Sequence, residues 1–306
     1  SSERETVLMA AASDTAAASE ASLGADGCER GASAGGGAFE DTKAANCSDW
    51  LNLKTLKPRQ AALLALLQAT CRRLAFADVQ CWVTGGTLLG ALRHGGFVPH
   101  DDDVDLECLE SDAARIEEVI ASHPRLKFRR GGHWNDTPVA HVGLQSVDVE
   151  LDIFLREAEL EEKRDFPSAA EVFPLRSFVF HGVEVLGPAN PEPCLTRLYG
   201  PDCLVSAKVW THDFNFIHGL AHDPDRVVLP LEEYKALVAG VGYEPPPTPP
   251  ADPDIALEML FEAGGVLEAL RKARSETWLE TLRRKNAEQA QARQAKEDAL
   301  TRGSSA

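Results

Sequence analysis

Four carboxylates fall within six consecutive positions, His100-Asp101-Asp102-Asp103-Val104-Asp105, and apolar residues flank them: Phe97-Val98 before, Val104 and Leu106 at the far end. A chain that enters a buried strand through such a run has few ways to fold. On a strand, alternate side chains share a face, so Asp103 and Asp105 would project together a few ångströms apart. Two ionised carboxylates at that spacing repel, and protonation, solvent or a divalent cation between them relieves the repulsion. Hard oxygen donors without interleaved His or Cys suit Mg²⁺ or Mn²⁺ rather than zinc. An acidic surface loop is the commoner fate of Asp runs, but the apolar flanks favour the start of a buried strand.

The rest of the composition narrows the setting. With 306 residues, 44% of them hydrophobic, the chain can bury a sizeable core as one larger domain with appendages. A net charge of −17 argues against a nucleic-acid or anionic-membrane partner, while a metal-bridged nucleotide stays compatible. No apolar run approaches the roughly 18 residues of a membrane span, and Ser1–Ala10 lacks the regions of a signal peptide. The seven cysteines, Cys28, Cys47, Cys71, Cys81, Cys108, Cys194 and Cys203, are scattered, odd in number and without a C-x-x-C pair. They read as ordinary thiols of a reducing compartment, with a Cys194–Cys203 disulfide or metal fragment as the lesser alternative. These thiols and the missing leader tilt the expectation to the cytosol; a leader upstream of Ser1 would move it to the secretory lumen.

Along the chain, residues 1–48 are rich in Ala, Gly and Ser and read as a disordered leader. From Pro58, suited to a first helical turn, Leu63, Leu66, Leu67, Thr70, Cys71 and Leu74 predict a core helix. Gln80–Val83 predicts a short strand ending at Gly85-Gly86, with a helix over Thr87–His94 and then the acidic strand. Helical spacing resumes over Asp112–Ala121. Leu126–Arg130 and Val139–Leu144 predict paired strands about a Gly131-Gly132 turn, with a loop through Trp134–Pro138 too long for a tight hairpin. Val147–Phe154 alternates most clearly, with Val147, Val149, Leu151 and Ile153 on one face and Asp148, Glu150 and Asp152 on the other. A hairpin about His181-Gly182 and a helix over Pro191–Tyr199 follow.

Residues 49–244 are thus expected to form one α+β domain. The proline run within 245–254 would be a stiff linker to a helical segment over 255–306 with a solvated tail.

A glycine pair at a strand-to-helix turn lets backbone approach a phosphate at a helix N-terminus. Alone that signal is weak. Followed by an Asp-x-Asp strand, it suggests phosphates held by the turn and by a metal on the carboxylates. A neighbouring strand is then expected to add a third carboxylate, with Asp152 favoured and Asp148 and Glu150 as same-face competitors.

The stretch Trp82 to Leu106, WVTGGTLLGALRHGGFVPHDDDVDL, resembles the central motif of the LicD family, which includes bacterial phosphocholine transferases and fukutin-related proteins. The resemblance extends to Leu151-Asp152-Ile153-Phe154, to Val172-Phe173-Pro174-Leu175, to Gly187-Pro188 and to Leu198-Tyr199-Gly200, covering about residues 55–210. It implies a nucleotidyltransferase-like fold, a mixed sheet flanked by helices. It also implies transfer of a phosphorylated alcohol from a CDP-linked donor to a hydroxyl acceptor, commonly a sugar of a glycan.

Carried over by position, Asp103 and Asp105 would be the principal metal ligands, Asp101 a further metal or supporting carboxylate and Asp152 the third acid. Gly85, Gly86 and Thr87 would contact donor phosphates, and Arg93 and His94 would neutralise developing charge or meet the helix dipole. Where the family usually has Pro-Trp before the acids this chain has Pro99-His100, so His100 would alter donor fit or act as a ligand or proton carrier. Lys208, His212 and His218 are further candidates for substrate contacts, and Trp210, Phe214 and Phe216 read as core. A nucleotidyltransferase using an NTP, and a catalytically silent binding module, are the alternatives.

Overall fold

The leucine stripe is one face of a long helix, α1 (Leu53–Phe76), whose Leu63, Leu66, Leu67 and Leu74 are fully buried. It starts upstream of Pro58, which lies inside it. Leu56 packs with Leu229, Tyr234 and Val238 in a second apolar cluster, and that packing carries the helix across the proline. The computed structural model describes residues 53–163, 165–208, 228–262 and 265–272, all within the unit Glu40–Ala306. The leader, Trp210, His212, Phe214, Phe216, His218 and the polar tail lie outside the described residues.

After α1 come β1 (Cys81–Val83), α2 (Gly85–His94), β2 (Asp105–Leu109), α3 (Ala113–Ala121), β3 (Leu126–Trp134), β4 (Thr137–Leu144) and β5 (Glu150–Arg156). The five strands form one sheet in the order β1-β2-β5-β4-β3, with β2 parallel to β5 and the other neighbours antiparallel. This is the expected α+β arrangement, a mixed sheet flanked by helices. Its two faces divide by chemistry. Leu106, Cys108, Leu151, Ile153, Leu155, Ala140, Val142 and Leu144 are buried in one cluster with α1 and with Ile116 and Ile120 of α3. The opposite face carries Asp105, Glu107, Glu150, Asp152 and His141, as period-two alternation requires.

Two local expectations change. The Gly131-Gly132 pair is not a turn but a bulge within β3, where the register shifts between Arg130 and His133 and both glycines have positive φ. The turn falls instead at Asn135-Asp136, whose φ values of 45° and 64° suit a tight two-residue hairpin. The alternating segment pairs only from Glu150, later than Val147.

Beyond the sheet, α4 (Ala169–Val172) precedes a hairpin of β6 (Arg176–Phe180) and β7 (Val183–Gly187), and then α5 (Glu192–Tyr199). A small β8 (Ser206–Lys208) and β9 (Val228–Pro230) pair leads to α6 (Leu231–Gly240). A further helix, α7 (Pro253–Phe261), puts Leu257 and Leu260 into the α1 cluster. The proline run lies against the same body, its Pro250 carbonyl accepting from Gln68 of α1 at 2.8 Å. Among the described residues no helix is long and apolar enough to cross a membrane.

Behind Asp105 on the polar face, Glu107 and Arg156 form an ion pair that is almost wholly buried. Burial pushes the Glu107 carboxyl up and the Arg156 charge opposes it. Arg156 also donates to the carbonyls of Glu161 and Pro167, at 3.0 and 3.1 Å. Removing one partner of such a pair strands a buried charge. Arg156→Leu is therefore expected to lower unfolding free energy by about 3–5 kcal/mol in urea titrations, and Glu107→Gln by clearly less.

Candidate active site

The acidic run meets the start of α2. Gly85 and Gly86 are the first residues of that helix rather than a turn before it, and Gly85 has a φ of +53°. A Cβ on Gly85 would stand 2.7 Å from Asp105 Oδ2, and one on Gly86 would stand 2.6 Å from Asp101 Oδ2. Only glycine lets these carboxylates lie against the backbone. The Gly86 amide hydrogen-bonds the Asp105 carboxylate, and the positive end of the α2 dipole lies beneath both acids. Thr87 Oγ1 accepts the Asp105 amide at 2.9 Å, and the Thr84 amide donates to the Asp105 carbonyl at 3.2 Å. Gly85, Gly86 and Thr87 thus engage the acids themselves in this structure.

β2 begins at Asp105, so Asp101 to Asp103 lie on the segment that enters it. Asp105 and Asp152 are register partners on parallel strands, which places them side by side on one face with about 4.8 Å between the two backbones. Burial first, then the charges of Asp103, Asp152 and Glu107, push the Asp105 carboxyl well up. Asp101 is pushed well up by burial, by the charge of Asp103 and by a hydrogen bond to it. Asp152 is raised by burial, against a hydrogen bond from His141. The structure therefore brings Asp101, Asp103, Asp105 and Asp152 into one mutually repelling group. Tyr199, at the end of α5, joins it: burial and then the charges of Asp105, Asp101 and Asp103 raise its phenol.

Among the candidate third acids, geometry separates the competitors. Asp148 precedes β5 and is exposed. Glu150 is paired with Lys127 and Arg129 of β3, at 2.8 and 2.7 Å. Asp152 alone of the three stands in register with Asp105, and His141 Nδ1 lies 2.7 Å from its Oδ1. Asp102 turns the other way, 3.6 Å from Arg59 of α1.

Among the described residues no three or more His, Cys, Asp or Glu side chains already stand as a cation-holding group. The four-carboxylate set expected from the sequence is thus not preassembled as a cage. Mg²⁺ asks less of a protein, commonly one or two carboxylates with waters and substrate phosphates completing the shell. An all-oxygen donor set whose repulsion raises its own carboxyls fits an ion of that kind.

Gln60 and Arg59, which carry no visible sequence signal, and His100, which does, hold the acidic segment in place. Gln60 of α1 donates to the Asp101 carbonyl at 2.7 Å and accepts from the Tyr243 hydroxyl at 2.9 Å. Arg59 donates to the carbonyls of Asp102 and Asp148. His100 is buried, with Nδ1 2.7 Å from the Tyr234 hydroxyl, so it fastens α6 to the acidic segment. Upstream, His181 Nε2 accepts the Phe97 amide at 2.9 Å.

Arg93 and His94 are engaged at the other end of α2. Arg93 donates to the carbonyls of Cys203 and Ser206, at 2.8 and 2.7 Å, and its Nε–H donates to His94 Nε2. Burial and then the Arg93 charge push His94 down to about 3. These two residues tie α2 to the loop before β8, and Lys208 likewise binds the Tyr199 carbonyl at 2.7 Å.

Residues 78–190 match the family described as LicD/FKTN/FKRP, nucleotidyltransferase domain. An uncharacterised protein of Rickettsia typhi is 29% identical over 149 residues, 45% of this chain and 45% of the relative. The mouse ribitol 5-phosphate transferase FKRP is 36% identical over 165 residues, 49% of this chain and 32% of the relative. The lipopolysaccharide cholinephosphotransferase LicD of Haemophilus influenzae is 37% identical over 68 residues, 21% of this chain and 24% of the relative. The chain thus spans half or less of the length of each of these three.

Burial depresses His181, so the folded protein binds fewer protons there than the unfolded chain. Its contribution to stability is present above the ordinary imidazole range, about pH 6.5, and is lost as pH falls through the folded value. His181→Gln keeps an acceptor for the Phe97 amide. Its thermal midpoint is expected to fall less between pH 7 and pH 5 than that of the unmodified protein, as read by circular dichroism.

Proposed function

We propose, from the match of residues 78–190 to the LicD/FKTN/FKRP nucleotidyltransferase domain, that the protein moves a phosphorylated alcohol from a CDP-linked donor to a hydroxyl acceptor, most naturally on a glycan. The observation that carries this reading is the register pair Asp105 and Asp152, with Asp103, set against the N-terminus of α2. Similarity to a ribitol 5-phosphate transferase and to a cholinephosphotransferase supports the phosphorylated-alcohol class.

Asp103, Asp105 and Asp152, with Asp101 beside them, would hold Mg²⁺ or Mn²⁺. The ion would supply charge neutralisation for a pyrophosphate. Gly85 and Gly86 seat Asp105 and Asp101 against the helix start, so the donor phosphates would approach these acids through the cation they hold. The acceptor oxygen would form a bond to the outer phosphorus as the bond to CMP breaks. Asp152, whose Oδ1 lies 2.7 Å from His141 Nδ1, would take the hydroxyl proton.

Incubation with Mg²⁺ and a panel of CDP-alcohols and NTPs tests the reading. Release of CMP is expected; pyrophosphate from an NTP instead would assign the nucleotidyl-transfer alternative. Neither product, together with no nucleotide binding by calorimetry, would leave a binding module. Asp103→Asn and Asp152→Asn are each expected to reduce CMP release about 100-fold or more. Full turnover in both variants would refute the assignment.

A further inference from the structure

One line of register runs across four neighbouring strands: Asp105 on β2, Asp152 on β5, His141 on β4 and Arg129 on β3. Register partners share a face, so these side chains stand in a row with about 4.8 Å between strands. The next line contains Glu150, Gly143 and Lys127. A Cβ on Gly143 would fall 2.5 Å from Lys127 Cε and 2.8 Å from Glu150 Cγ. Without one, Lys127 and Glu150 meet above the glycine. Glu150 then holds Lys127 at 2.8 Å with one oxygen and Arg129 at 2.7 Å with the other. Burial alone would raise this carboxyl, but hydrogen bonds from Lys127 and Arg129 outweigh it and keep it below the usual range.

In a chain of net charge −17, β3 carries Lys127, Arg129, Arg130 and His133 and no acid. Arg130 turns away to Glu117 of α3. Lys127 and Arg129 remain on the face of the catalytic acids, on the flank opposite the α2 N-terminus. The donor phosphates would occupy the α2 side, which leaves the β4–β3 side for the acceptor.

We propose that Lys127 and Arg129 form a subsite for an anionic group of the acceptor, a phosphate or a carboxylate, which Glu150 occupies in the ligand-free protein. The assignment of that anion to the acceptor rests on the phosphotransfer reading above. One strand, β4, separates Arg129 from Asp152, so their backbones lie two strand spacings apart, about 10 Å, and the anion would lie about one sugar unit from the attacking hydroxyl. Arg129 is 55% exposed in its side chain and can pivot toward a ligand while keeping its planar fork for two oxygens. Glu150 acts as an internal competitor, so a neutral sugar gains nothing by displacing it.

Calorimetric titration of the full chain, with glucose 6-phosphate, glucuronate and glucose as probes, tests this. Glu150→Gln, Arg129→Ala and the Lys127→Ala/Arg129→Ala pair are compared with the unmodified protein, and CDP with Mg²⁺ is titrated in parallel. Glu150→Gln is expected to bind glucose 6-phosphate about tenfold more tightly, and the paired variant about tenfold more weakly or worse. Arg129→Ala, an exposed position, should fall between and retain its thermal midpoint. Glucose should not bind measurably, and CDP affinity should be the same in all four proteins. Glucuronate bound as tightly as glucose 6-phosphate, with the same dependence on Lys127 and Arg129, would make the carboxylate the ligand and still support the subsite. The proposal is overturned if glucose 6-phosphate binds all four proteins alike, or if neither anion binds even Glu150→Gln. Loss of CDP binding alone, with the anion pattern intact, would count against the donor reading and not against the subsite.

Discussion

Mutual repulsion among Asp101, Asp103, Asp105 and Asp152 is the condition that the surrounding structure is built to withstand. Burial and neighbouring charge raise three of these carboxyls. What offsets the repulsion within the chain is mostly backbone. The start of α2 presents its amides and dipole to Asp105 and Asp101, and glycine at 85 and 86 permits the approach. Behind the acids, Gln60, Arg59 and the His100–Tyr234 bond hold the carbonyls and side chains of the entering segment. The braces come from separate parts of the sequence, Arg59 and Gln60 from α1, the glycines from α2 and Tyr234 from α6, so the site exists only once these helices have packed.

Topology does the rest. Asp105 and Asp152 become neighbours because β5 is inserted beside β2 in parallel, with α3, β3 and β4 forming the crossover between them. The antiparallel return of β4 then brings His141 next to Asp152. A register slip by one residue would send every one of these polar groups into the α1 core. The apolar residues Leu151, Ile153 and Leu155, all buried, are what forbid it.

Features set by local spacing were legible in the sequence. The alternation up to Phe154 gave the two faces of β5, and the acidic run beside a glycine pair marked the segment where the structure gathers its carboxylates. The strand, glycine and helix order of residues 81–94 also reads directly. What could not be read depends on partners distant in sequence. Pro58 lies within α1 because Leu56 packs near Tyr234, far along the chain. Gly131-Gly132 signals a turn equally well as a bulge, and the pairing with β4 decides between them. Arg93 looked poised for phosphate, yet its guanidinium is claimed by the carbonyls of Cys203 and Ser206. Period-two parity on β4 places His141 on the acid face, but only the strand order reveals that Asp152 is its neighbour.

Asp105 and Glu107 make the clearest contrast, because they stand two residues apart on the same face of one strand. Both carboxyls are pushed up by burial. Glu107 is answered from within the chain by Arg156, whose guanidinium is fixed by two further carbonyls. For Asp105 no basic side chain among the described residues forms an ion pair, and its immediate neighbours are Asp103 and Asp152. The same strand thus carries one acid whose charge is matched for stability and another whose charge is left for something outside the chain to match. Under the proposed reading, a hard cation arriving with the donor pyrophosphate is that partner, and binding would relieve the strain that folding alone leaves in place.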